Sequence, residues 1–180
     1  ISLDYFQTAE LARSYHYKGY VTTSAAEYYG VWGAKATNAI VGSAPILGVG
    51  TVNVKDYSGD LSVVSPIWPP WVPAPPLATG TAGSEKVMRL RQGIERFLIT
   101  DINDPVRASK AESDVPILWD TYGASSFTDS GNAQVVFNHL PGGSNVLYMD
   151  GHVVFVKYPG SFPITGDEQV IKENSHHGLG

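Results

Sequence analysis

The clearest alternation of apolar and polar positions lies near the end of the chain. Asn145 to Met149 reads NVLYM and His152 to Tyr158 reads HVVFVKY, with Asp150-Gly151 between them. Two runs of β-branched, aromatic and long apolar residues around an Asp-Gly pair predict a β-hairpin. A two-residue loop of type I′ at Asp150-Gly151 places Met149 opposite His152, Tyr148 opposite Val153 and Val146 opposite Phe155. Both faces of such a hairpin are largely apolar, so both are expected to be covered. Pro141-Gly142-Gly143 breaks the chain just before it.

Upstream, the pattern is more broken. Tyr15, Tyr17, Tyr20 and Val21 suggest a strand interrupted at Gly19. Ser24 is placed to cap a short helix, AAEYYGVWGAKA, weakened by Gly30 and Gly33. TVNV and LSVVS have strand composition, and DYSGD (56–60) has turn composition. Val87, Leu90, Ile94 and Phe97/Leu98 recur at helical spacing, which predicts a helix from Ser84 to Leu98. VPILWD (115–120) predicts a buried strand. Residues 121–134 predict a polar loop, and AQVVFNH (133–139) leads into the hairpin. The run PIWPPWVPAPPL excludes a central strand or helix, because its prolines fix φ and remove donors. Residues 66–83 are therefore expected to be extended, and 161–180 an irregular tail. The whole, 1–180, is expected to form a single domain.

Composition narrows the function classes. Only 16% of residues are charged and the net charge is -5, which argues against a nucleic-acid partner. The absence of cysteine excludes disulfides, a thiol nucleophile and a cysteine-ligated zinc site. No apolar run is long enough to span a membrane as a helix. The first residue is Ile rather than Met, which suggests a processed or trimmed product.

Three segments in order, RLRQGIERFLITDINDP (89–105), VPILWD and FNHLPGGSNVLYMDGHVVFVKYP (137–159), carry a family resemblance. The chain resembles bacterial prepilin-type proteins with a C-terminal His, nine residues, Asp-Gly motif, and is similar to pilins and pseudopilins. Here ten residues separate His139 from Asp150-Gly151, and the hydrophobic N-terminal helix that packs a pilin filament is absent. The resemblance covers roughly residues 86–160. It implies an α+β, type IV pilin-like domain in which a helix lies on an antiparallel sheet. It also implies a structural, self-assembling subunit of an extracellular or cell-surface bacterial filament or secretion apparatus. The partner would be the chain itself, as a helical homopolymer, and no enzymatic chemistry is implied. The motif residues are His139, Gly142, Gly143, Asp150 and Gly151.

Other readings compete at particular residues. His139, Asp150 and His152 hold three ligand-type side chains, but a turn and a strand-edge histidine account for them without a metal. No GxSxG, HExxH, GxxxxGK[ST] or GxGxxG motif occurs. Asp101, Asn103 and Asp104 put three oxygen-bearing side chains in one loop and are the calcium candidates, although turn and capping roles are the favoured account of them. Pseudopilins, which the chain resembles, often hold calcium in a C-terminal loop. Trp68 and Trp71 on the proline strip, with Tyr5 and Phe6 near the start, are candidates for contact between subunits. The alternative to a pilin-like subunit is a secreted carbohydrate- or surface-binding module that uses exposed Trp and Tyr. His176-His177 reads as a frayed end.

Overall fold

The computed structural model describes residues 15–37, 40–46, 50–64, 77–94, 112–124, 135–137, 142–167 and 170–171. Along the chain come β1 (Tyr15–His16), α1 (Ala25–Thr37), β2 (Ile40–Ile46), β3 (Gly50–Lys55), β4 (Leu61–Ser62) and β5 (Lys86–Val87). Then follow β6 (Pro116–Asp120), β7 (Tyr122–Ala124), β8 (Val135–Phe137), β9 (Gly143–Tyr148) and β10 (Val153–Lys157). The architecture is α+β, with one helix packed against antiparallel strands among the described residues. The chain divides into two compact units: residues 1–18 with 112–180, and residues 19–111.

In the unit of residues 19–111, α1 begins where the sequence places it. The Ser24 carbonyl accepts the Tyr28 N–H at 3.0 Å and its hydroxyl accepts the Glu27 N–H at 3.3 Å, so Ser24 is the N-cap. Glu27 in the first turn and Lys35 in the last suit the helix dipole. Tyr28, Tyr29, Val31 and Ala34 are buried. Val31 and Ala34 join Tyr20, Leu61 and Val87 in one core cluster, with Tyr57 and Val63 packed at its margin. The Lys35 amine lies 5.0 Å from the Tyr57 ring centre and 5.6 Å from that of Tyr20. Burial pushes the Tyr20 phenol up, partly offset by Arg89. β2 pairs with β3 and β4 with β5, each antiparallel. The turn predicted at 56–60 is present: the Ser58 hydroxyl and N–H both bond the Asp56 carboxylate and hold its pKa below the usual value.

The helix predicted from Ser84 to Leu98 does not form over its described part, 84–94. Residues 86–89 are extended instead, and 91–94 close a turn in which the Ile94 N–H donates to the Arg91 carbonyl at 3.2 Å. Val87 pairs with Leu61 and Arg89 bridges Tyr20, while the Val21 N–H donates to the Met88 carbonyl at 2.9 Å. Backbone donors that a helix would use internally go elsewhere: Met88 N–H to the Thr81 hydroxyl and Arg89 N–H to Asp60. Gly93, at φ +83°, breaks any helical continuation. Helical spacing was matched by accident: Val87 and Ile94 are both buried, but one lies in a strand and the other in a turn. Tertiary pairing overrode a modest local propensity.

In the other unit the main sheet has the order β1-β6-β9-β10, all antiparallel. VPILWD is a strand as expected, with Pro116, Trp119 and Asp120 buried. Trp119 stacks on His16 at 4.7 Å and meets Phe162 edge-on at 6.3 Å. The loop predicted for 121–134 contains a strand, because β7 pairs with β8. Its Tyr122 lies parallel to Phe137 at 5.5 Å, and its hydroxyl donates to the Pro163 carbonyl at 2.7 Å. The start of the tail is irregular over 161–167 yet packed, with Ile164, Val170 and Ile171 buried.

The hairpin is present, but its loop is one residue longer than predicted. Val154 faces Val146 and Phe155 faces Asn145, so Tyr148 and His152 close the ladder around Met149-Asp150-Gly151. A type I′ loop needs φ > 0 at both central residues. Asp150 does not enter that region; its carboxylate instead accepts the His152 N–H at 3.1 Å. Gly151 alone is left-handed, at φ +91°, and its N–H reaches the Tyr148 carbonyl at 3.0 Å. This is a three-residue hairpin loop ending in a left-handed glycine. Gly151→Val, forcing a β-branched side chain into that conformation, is expected to lower stability by about 2 kcal/mol. Urea unfolding of the variant checks it; an unchanged midpoint would show that Gly151 is not held at positive φ.

A candidate interaction edge

The hairpin that the sequence singles out ends in β10, the last strand of its sheet. The even positions form the better-buried face of β9: Ser144 and Val146 are fully buried, and the Val146 row continues to Trp119 and His16. On the other face Gly143, Asn145 and Leu147 stand opposite Lys157, Phe155 and Val153. The Phe155 ring lies across Gly143: a Cβ added there would fall 2.7 Å from it and 2.5 Å from the Val156 carbonyl oxygen. Gly143 is therefore a strand residue whose missing side chain gives Phe155 its place, while Gly142, at φ +91°, makes the turn before it.

The expectation that both hairpin faces are covered is not met on β10. Val153 is 60% exposed, Val154 43% and Phe155 42%. Strand position explains this. β9 has neighbours on both sides, whereas β10 has β9 alone among the described residues. Tyr148 N–H donates to the His152 carbonyl, and Tyr158 N–H to the Gly142 carbonyl at 3.1 Å. By the period of two, residues 152, 154, 156 and 158 turn their main-chain groups to β9. Val153, Phe155 and Lys157 turn theirs outward. An apolar edge with outward N–H and C=O groups is a template for another strand. Lys157 was the sequence's signal, since a lysine closing an apolar strand often marks an edge. Apolarity on both faces pointed the other way.

At the hairpin tip His152 stacks on Tyr148 with ring centres 4.5 Å apart and nearly parallel, and its Nδ1 meets Asp150. The His152 N–H is the main cause that holds the Asp150 carboxyl below its usual value. Burial pushes the Tyr148 phenol up. Asp150 and His152 are thus a turn pair at the surface. Among the described residues no three of His, Asp or Glu converge as metal ligands.

Several sequence candidates, His139, Trp68, Trp71, Tyr5, Phe6, Asp101, Asn103 and Asp104, lie outside the described residues. Among the described residues no helix is long and apolar enough to cross a membrane. Comparison of the chain with family models, curated proteins and solved structures finds no match to any of them.

Proposed function

We propose that this chain is a structural, non-enzymatic, self-associating subunit, pilin-like in fold and role, of a bacterial extracellular filament or secretion apparatus. The observation that carries the reading is the β10 edge, apolar and exposed on both faces. Addition of a strand there gains main-chain hydrogen bonds and covers Val153, Val154 and Phe155 together. The ordered quasi-motif from His139 to Gly151 supports the pilin-like part. Sedimentation and negative-stain microscopy over a range of concentrations test the reading. The native chain is expected to associate, and Val153→Lys to weaken association at least about tenfold by placing a charge on the edge. A native chain that stays monomeric at every attainable concentration overturns it.

A second reading rests on a separate feature. Tyr15 and Tyr17 are 54% and 56% exposed, and period two puts them on one side of the β1 segment. Paired exposed rings suit a carbohydrate- or surface-binding module. Binding of soluble oligosaccharides by a monomer, lost in Tyr15→Ala, would favour it.

A further inference from the structure

The register of β10 narrows what can add to it. An antiparallel partner must bring its own outward residues opposite Val153 or Phe155. At the tip side the ladder stops at Gly151, whose N–H is already given to the Tyr148 carbonyl. At the other end Gly160 crowds Lys157: a Cβ on Gly160 would fall 2.5 Å from the Lys157 carbonyl oxygen. The free ladder is therefore short, and it is centred on Val154.

We propose that the strand added to β10 is β10 of a second copy of this chain, antiparallel, about a two-fold axis between the two Val154 residues. The proposal rests on the self-association reading above and names its contact. In this register Val153 of each copy faces Phe155 of the other, and both are outward residues. Four main-chain hydrogen bonds close without using Lys157 or Gly151. A register centred on Phe155 would draw on the crowded Lys157 carbonyl, and one centred on Val153 would draw on the spent Gly151 N–H. On one face Val153 and Phe155 from both copies form a continuous apolar row, and on the other Val154 meets Val154.

Charge agrees with this arrangement. The chain carries a net charge of -5, yet the sole ionic side chain of β10 is Lys157. Antiparallel pairing sets each Lys157 opposite the partner's Gly151, beside the partner's Asp150. No like charges face each other. A two-fold contact is closed, so it makes a pair, and longer assemblies grow through a second surface of the chain.

The absence of native cysteine makes the test clean. The two Val154 residues form a non-hydrogen-bonded pair, whose Cα separation of about 4.5 Å suits a disulfide. Val154→Cys is expected to give a covalent dimer under mild oxidation. Val153→Cys, offset from its own copy by two residues, is expected to link far more slowly. Lys157→Glu, which sets a carboxylate beside the partner's Asp150, is expected to weaken association roughly two- to fivefold. If the native chain associates but Val154→Cys links no faster than Val153→Cys, the two-fold register is wrong and the self-association reading stands. If Lys157→Glu associates as well as the native chain, the register is likewise overturned. A native chain that never associates removes both.

Discussion

Gly30→Ala is expected to destabilise the unit of residues 19–111 by about 3 kcal/mol, although it replaces a poor helix former by the best one. In an open helix the exchange would gain about 1 kcal/mol. Here α1 is not open at Gly30. A Cβ at that position would fall 1.9 Å from the Thr79 carbonyl oxygen and 2.9 Å from its carbon. Both atoms are backbone, so no side-chain rotation relieves the overlap. The Thr79 segment is also held in place, because its N–H donates to the Ala26 carbonyl one turn earlier at 3.0 Å. Moving it away breaks that bond and disturbs Gly80, which is itself packed against the Ser84 and Lys86 carbonyls. Steric cost outweighs propensity. Urea unfolding followed by circular dichroism should show a clear loss, and a variant as stable as the native chain would show that the segment does not lie on α1.

Gly30 also shows how sequence reasoning stops short. From sequence it is a defect in a helix; in the fold it is the contact point of an extended segment. Local signals with a local cause were legible: the Ser24 cap, the turn at 56–60, the VPILWD strand and the existence of the hairpin. Signals whose outcome depends on distant partners were not. The 84–94 segment has helical spacing, but Thr81, Asp60 and Val21 hold Met88 and Arg89 extended. Asp-Gly announces a hairpin without fixing the loop length. That length turned on whether Asp150 would take a left-handed conformation or accept the His152 N–H. One residue of slip changes which side chains face each other along β9 and β10. The interaction edge was half legible: the apolar residues were plain, but their exposure follows from β10 being last in the sheet, a fact of topology.

Glu27→Ala is expected to cost about 3 kcal/mol, more than the loss of an ordinary surface carboxylate by a wide margin. Glu27 is buried and its two oxygens are shared between neighbours. Oε2 accepts the Thr23 N–H at 2.6 Å and the Thr23 hydroxyl at 2.9 Å. Oε1 accepts the Ala82 N–H at 3.0 Å. The first two bonds act as a variant of the capping box, reaching back past Ser24 to the residue before the cap. The third ties the helix start to the Thr81–Gly83 turn, where Ala82 holds φ +54°, an uncommon conformation for a non-glycine residue. Truncation leaves two backbone N–H groups without their acceptor in a partly buried site, each costing roughly 1–3 kcal/mol if water does not replace it. It also frees Ala82 to relax, which loosens the turn that positions Thr81. The buried Thr81 hydroxyl donates to the Val21 carbonyl and accepts the Met88 N–H, so the disturbance passes directly to the extended residues 86–89. Glu27→Gln keeps the shape and one acceptor oxygen, and should lose about half as much. Hydrogen exchange at Thr23, Ala82 and Met88 reads the mechanism apart from the global loss. All three amides should exchange faster in Glu27→Ala, and an unchanged Met88 would show that the turn holds its place without the carboxylate.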